Sequence, residues 1–130
     1  MTDVAIITGG AGGMGLATAH LLAADHHVVL TDINAERLEA AKAELEGHGA
    51  SVTVTTSDIL DGSSLEATVA AAQAVGTVRA MVHTAGISPQ MGGPELIARI
   101  NTVGTINVAQ AVLPVAEEGF SLTASQVLEI

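Results

Sequence analysis

With 130 residues the chain has room for one domain, residues 1–130, and not for two. Apolar residues make up 48% and aromatic ones only 1%, so the core must be built from Val, Ile, Leu and Ala, the palette of a parallel sheet covered by helices. The net charge of −10 is the wrong sign for a nucleic-acid partner, and the lack of cysteine removes disulfide and thiolate chemistry and suits a cytoplasmic protein.

The N-terminal Met1-Thr2-Asp3 carries no basic segment, and no apolar run is read as approaching the ~20 residues of a bilayer span, so no membrane partner is expected. Short β-branched runs then alternate with longer amphipathic ones. The first strand is Val4–Thr8, followed by a glycine-rich turn and a helix over Met14–Ala24. A second strand, His27–Thr31, leads to Asn34, which suits the cap of a helix running to Glu46 and stopping at Gly47. The third strand is Ser51–Thr56, and Ser63 with Glu66 has the spacing of a capping box at the head of Ser63–Val75. Ala70-Ala71-Ala72 inside that helix reads as close helix–sheet packing. After a fourth strand at Ala80–Thr84, Gly93-Pro94 opens a helix over Pro94–Val112, with Leu96, Ile100, Val103 and Asn107 recurring on one face.

Thr8-Gly9-Gly10-Ala11-Gly12-Gly13-Met14-Gly15 joins the first strand to the first helix. A diphosphate held there needs backbone N–H groups at close range, which residues without Cβ permit, and a helix N-terminus favours the negative charge. Gly10, Gly12 and Gly15 satisfy GxGxxG, while Gly9, Gly13 and Gly15 satisfy TGxxxGxG. A nucleotide-triphosphate loop fails, because Leu16 and not lysine follows Gly15. Asp32, 17 residues beyond Gly15, ends the second strand where a carboxylate can accept both hydroxyls of an adenosine ribose; its plain alternative is a helix cap. The same carboxylate repels a 2′-phosphate, so NAD is expected over NADP, with Arg37 the one nearby cation arguing the other way. Asp58-Ile59 after the third strand can hold an adenine amino group and pack on its ring, or can be a surface turn.

These segments, with His83-Thr84-Ala85-Gly86 and Asn101, fall in the order of the motifs of the short-chain dehydrogenase/reductase family, which the chain resembles over about residues 1–114. The resemblance implies a doubly wound, Rossmann-like α/β domain with strand order 3-2-1-4, a fifth strand remaining open. It implies that Gly9, Gly13, Met14 and Gly15 bind the cofactor diphosphate, Asp32 the ribose, and Asp58 with Ile59 the adenine. His83-Thr84-Ala85-Gly86 stands where the family has Asn-Asn-Ala-Gly, so Ala85 and Gly86 would leave room for the ribose. His83 departs from the pattern and reads as a buried histidine satisfied by backbone. Asn101 matches the asparagine that supports the family's catalytic lysine through water, or is a polar residue hydrogen-bonded within the helix packing, and Gly86 to Asn101 is a short segment for the family. The reaction implied is hydride exchange between nicotinamide and a small secondary alcohol or ketone.

Beyond Leu113-Pro114 the resemblance stops. The family continues into a strand ending at a catalytic serine and a helix bearing Tyr-xxx-Lys, but this sequence has no tyrosine, and its one lysine is Lys42. Two registers stay open: Ser121–Ser125 as a fifth strand, making Ser125 the serine, or Leu122–Gln126 as the Tyr-xxx-Lys segment with both working residues replaced. Fragment, truncated gene product and degenerate relative are equally open. The rival readings are a non-catalytic NAD-binding or assembly module and a methyltransferase, whose loop tends toward an acid where Thr8 stands. His20, His26, His27 and His48 lack metal-ligand spacing, so no metal is expected. A homo-oligomer is expected, because a sheet ending at the fourth strand leaves an apolar edge and the family associates through its fourth and fifth helices.

Overall fold

The computed structural model describes residues 2–87 and 91–125. Five strands, β1 (Asp3–Thr8), β2 (His27–Asp32), β3 (Val52–Thr56), β4 (Thr77–His83) and β5 (Ser121–Ala124), form one parallel sheet in the order β3-β2-β1-β4-β5. β1 lies at its centre, and Val4 through Thr8 are fully buried. Side chains alternate across a strand, so Val4 and Ile6 pack with Leu65, Val69, Met81, Val108 and Val112 on one face. On the other face Ile7 packs with Ala19, Val28, Leu30, Leu38 and Leu45. Nearly all of this core is aliphatic, as the composition requires.

Helices cover both faces: α1 (Gly13–Leu22), α2 (Ala35–Gly47), α3 (Gly62–Val75), α4 (Pro94–Ala98) and α5 (Gly104–Val112), the last two joined by a π-helical segment, Arg99–Val103. Asn34 caps α2, accepting the Arg37 N–H at 3.0 Å. The cap of α3 is Asp61 rather than Ser63: its carboxylate accepts the Ser63 N–H at 3.1 Å, closing the helix two residues earlier than a Ser63–Glu66 box would. Of the consecutive Ala70-Ala71-Ala72 in α3 only Ala72 is fully buried.

β4 starts three residues before the expected strand. The pairing with β1 slips between Val4 and Ala5, which turns Arg79 out of the ladder toward Asp3, at 3.2 Å, and the Glu118 carbonyl, at 3.3 Å. A charge in the run thus masked the start of the strand. The last helical stretch also differs from expectation. Its buried stripe is Ile97, Asn101, Gly104, Val108 and Val112, whereas Leu96 and Val103 are exposed. Helical spacing alone does not say which of two adjacent apolar stripes meets the sheet. Residues Pro94–Val115 are, by length and composition, apolar enough to cross a membrane, contrary to the reading that no such run exists; here the inner face packs on the sheet.

Candidate cofactor-binding site

The sheet order reverses its winding at β1, whose neighbours β2 and β4 lead to opposite sides, and the crevice outside the carboxyl ends at such a point is where open α/β sheets take ligands. A cleft of about 530 Å³ lies there. It is lined by Gly9, Gly13, Met14, Gly15, Asp32, Asp58, Ile59, Ala85 and Gly86, so every residue assigned to cofactor binding faces one cavity.

The turn after β1 is held by its own backbone. Gly10 N–H donates to the Thr31 carbonyl at 3.1 Å, and Gly12 N–H to the Gly9 carbonyl at 3.0 Å. Gly9 has φ +64, and a Cβ there would strike Thr84 and the Ala85 backbone. A Cβ on Gly15 would collide with the Gly9 carbonyl. Gly13 is different, since a Cβ there meets no protein atom and would project into space. Gly12, the N-cap of α1, brings no side chain to the helix end, and the first turn carries no acid, so its N–H groups face an uncapped, electropositive mouth.

Asp32 sits half-buried at the end of β2. Its carboxylate accepts the Ala11 N–H at 3.3 Å and the Asn34 N–H at 3.2 Å. The helix-cap alternative for Asp32 therefore falls to Asn34. Arg37 stands at the lip and donates to the Ala11 carbonyl at 3.1 Å. Asp58 is exposed and accepts the Leu60 N–H at 2.9 Å, while Ile59 rests on Gly104 and receives an Asn107 Nδ2 hydrogen bond at 2.9 Å. Asn107, like Thr8, Thr84, Ile87 and Ile100, belongs to the site's framework, although the sequence alone assigns none of them a binding role of its own.

His83 is fully buried at the end of β4, and its partners are side chains rather than backbone. Nδ1 lies 2.6 Å from Thr8 Oγ1, and Nε2 lies 3.1 Å from Thr105 Oγ1. Burial pushes its pKa down from 6.5 to about 4, so the ring is neutral at pH 7. Thr105 sits one helical turn beyond Asn101, the signal that could have found it.

Asn101 is buried within the π-helical segment and pairs with Ile87 twice: Nδ2 donates to the Ile87 carbonyl and Oδ1 accepts the Ile87 N–H, both at 2.9 Å. Ser125 lies just past β5, donating its N–H to the His83 carbonyl at 3.0 Å and its hydroxyl to Met14 Sδ at 3.1 Å. Ser121–Ala124 is a strand, as the first of the two registers requires; Gln126, on which the other depends, lies outside the described residues. Because β5 pairs with β4, the fourth strand is not an edge, and that premise for association is withdrawn.

Residues 3–121 match the family model for short chain dehydrogenase. The chain belongs to that family. A curated relative, the sulfoacetaldehyde reductase of Chromohalobacter salexigens, is 36% identical over 124 residues, covering 88% of this chain and 49% of the relative. The chain thus spans about half the length, or less, of the curated relatives it matches over most of its own length. Among solved structures, a Burkholderia phymatum short-chain dehydrogenase/reductase in complex with NAD superposes with a TM-score of 0.78 at 25% identity, covering 88% of this chain and 44% of that one. An actinorhodin polyketide ketoreductase with NADPH superposes at 0.77 and 28%, covering 86% and 46%. Of these two solved structures one holds NAD and the other NADPH.

Proposed function

We propose that this chain is the cofactor-binding portion of a short-chain oxidoreductase that exchanges hydride between nicotinamide and a small secondary alcohol or ketone, and that it takes NAD in preference to NADP. The observation that carries the reading is the opening of the uncapped α1 N-terminus and the Asp32 carboxylate into one cleft. The open space over Gly13 fits a diphosphate, which a Cβ would crowd. When bound, the nicotinamide supplies the two-electron hydride chemistry.

The chain's own residues bind and orient it. The N–H groups at Gly13, Met14 and Gly15 face the diphosphate, Asp32 accepts the ribose hydroxyls, and Asp58 takes the adenine amino group with Ile59 beneath the ring. Ala85 and Gly86 leave room for a ribose on the opposite wall. Asn101 and Ser125 are assigned to the reacting side, Asn101 by fixing the Ile87 backbone and Ser125 by its place at the end of β5 beside Met14. The cysteine-free sequence supports a cytoplasmic protein.

One observation favours a second reading, a non-catalytic NAD-binding or assembly module. The sequence holds no tyrosine, and Lys42, on α2, is not among the residues that line the cleft. Self-association is also proposed, now through the exposed Leu96, Val103, Ile106 and Leu113 along the outer face of the last helix. Family membership removes the support for a methyltransferase. Calorimetric titration with NADH and NADPH tests the cofactor reading, and binding of neither overturns it.

A further inference from the structure

The hydrogen bonds around His83 have one consistent direction. The Thr105 hydroxyl donates to the Asn101 carbonyl at 2.6 Å, so Thr105 Oγ1 is left to accept, and the ring must supply the proton from Nε2 across 3.1 Å. At the other nitrogen, Thr8 Oγ1 already receives the Thr84 and Ala85 N–H groups, at 3.1 and 3.3 Å. Its own proton therefore goes to Nδ1 at 2.6 Å. The ring is a neutral Nε2–H tautomer in a run of bonds from Thr8 through His83 and Thr105 to Asn101, whose side chain clasps Ile87.

This run joins the two walls of the cleft. Thr8 ends β1 at the glycine turn, Thr84 and Ala85 begin the opposite wall, and Ile87 continues it. Thr84 adds a second tie, its hydroxyl donating to the Thr8 carbonyl at 2.6 Å. Thr105 lies on α5 and is not among the cleft-lining residues.

We propose that His83 is a positioning residue: held as the Nε2–H tautomer between Thr8 and Thr105, it sets the spacing between the phosphate-binding turn and the Ala85–Ile87 wall, so that cofactor affinity depends on Thr105, a residue that does not line the cleft. The inference rests on the nicotinamide-binding reading. A buried polar network with every member satisfied holds a single geometry, and removing one member leaves its partners to rearrange.

The test combines NADH calorimetry, thermal melting and ¹⁵N NMR of the histidine ring on the full chain. Thr105→Val is expected to weaken NADH binding by about three- to tenfold, and Thr105→Ser to restore it. His83→Leu combined with Thr105→Val should cost no more NADH affinity than His83→Leu alone, because the two act through one connection. NMR should show the proton on Nε2 and a bare Nδ1. Unchanged NADH affinity in Thr105→Val, even with a lowered melting temperature, or additive losses in the pair, or a proton on Nδ1, would each overturn the inference. If wild-type protein binds no NADH, it is the cofactor reading that fails, and the ring tautomer still decides whether the network exists. The Thr105 variants keep the test open should His83→Leu not fold.

Discussion

Thr8 and His83 lie directly opposite each other at the carboxyl ends of the adjacent parallel strands β1 and β4, with Thr8 Oγ1 2.6 Å from His83 Nδ1. Burial of that imidazole makes stability depend on pH, and the partly buried His27, also held below its ordinary value by burial, adds in the same direction. The folded protein holds His83 near pKa 4 against an ordinary 6.5, so between those values the unfolded chain binds a proton that the native state refuses. Stability should be fully present above pH 6.5 and fall as the pH drops toward 4, by roughly 3 kcal/mol over the whole range. Because the sequence pI is near 4.6, the measurement belongs between pH 7 and 5.5, where the urea midpoint should decline in wild type and decline less in His83→Gln. Equal slopes in the two proteins would show that His83 is not the group responsible.

Three glycines of the turn, Gly9, Gly13 and Gly15, should separate stability from binding. Gly15→Ala forces a Cβ into the Gly9 carbonyl and Gly9→Ala a left-handed alanine against Thr84, so both should lower the melting temperature as well as abolish NADH binding. Gly13→Ala meets nothing in the fold and stands at the head of a helix, where alanine is favoured by up to about 1 kcal/mol. It should melt no lower than wild type and yet lose NADH affinity, because its methyl group enters the space assigned to the diphosphate. A Gly13→Ala protein that binds NADH normally would remove the diphosphate from that position.

Asp32 should make NADH bind at least about tenfold more tightly than NADPH, about 1.4 kcal/mol. Asp32→Asn should narrow the ratio by easing the repulsion of a 2′-phosphate, and Arg37→Ala should widen it by removing the cation at the lip. Calorimetry with both dinucleotides on the three proteins decides the matter; preference for NADPH in the wild type would detach Asp32 from the ribose.

The 130-residue chain should bind NADH without oxidising alcohols. Hydride departs from a secondary alcohol readily only as its hydroxyl proton is taken, and a positioned base contributes typically 10²–10⁴-fold. The sequence offers no tyrosine, Lys42 is on α2, and His83 is fully buried with both nitrogens engaged, so it cannot reach a substrate. NADH absorbance followed over a panel of secondary alcohols, on protein of confirmed 13.0 kDa mass, should stay flat. Sustained turnover would require a base that none of these residues supplies.

Association should depend on the last helix and not on the sheet. Ile106 is exposed on its outer face, so Ile106→Glu should shift the sedimentation profile toward monomer while leaving NADH affinity unchanged. A single 13.0 kDa species for wild type at all concentrations would refute the association itself.

Much of the fold and the cofactor cleft was legible because it is written locally. The βαβα rhythm, the glycines before Gly15 and the acids at or just past the ends of two strands each sit within a short stretch, and a parallel sheet with short crossovers then has little freedom in how it assembles. What local pattern could not decide depends on who the neighbours are. Leu96 and Ile97 are equally apolar, and only the packing of the folded chain buries Ile97 and leaves Leu96 exposed. β4 extends through Arg79 because β1 lies beside it to pair with, charge notwithstanding. His83 looked like a lone buried histidine in the sequence; its meaning comes from Thr8, 75 positions away, and Thr105, 22 positions away. The tertiary structure supplied those partners, since a buried imidazole takes its tautomer from the hydroxyls that folding brings to each nitrogen.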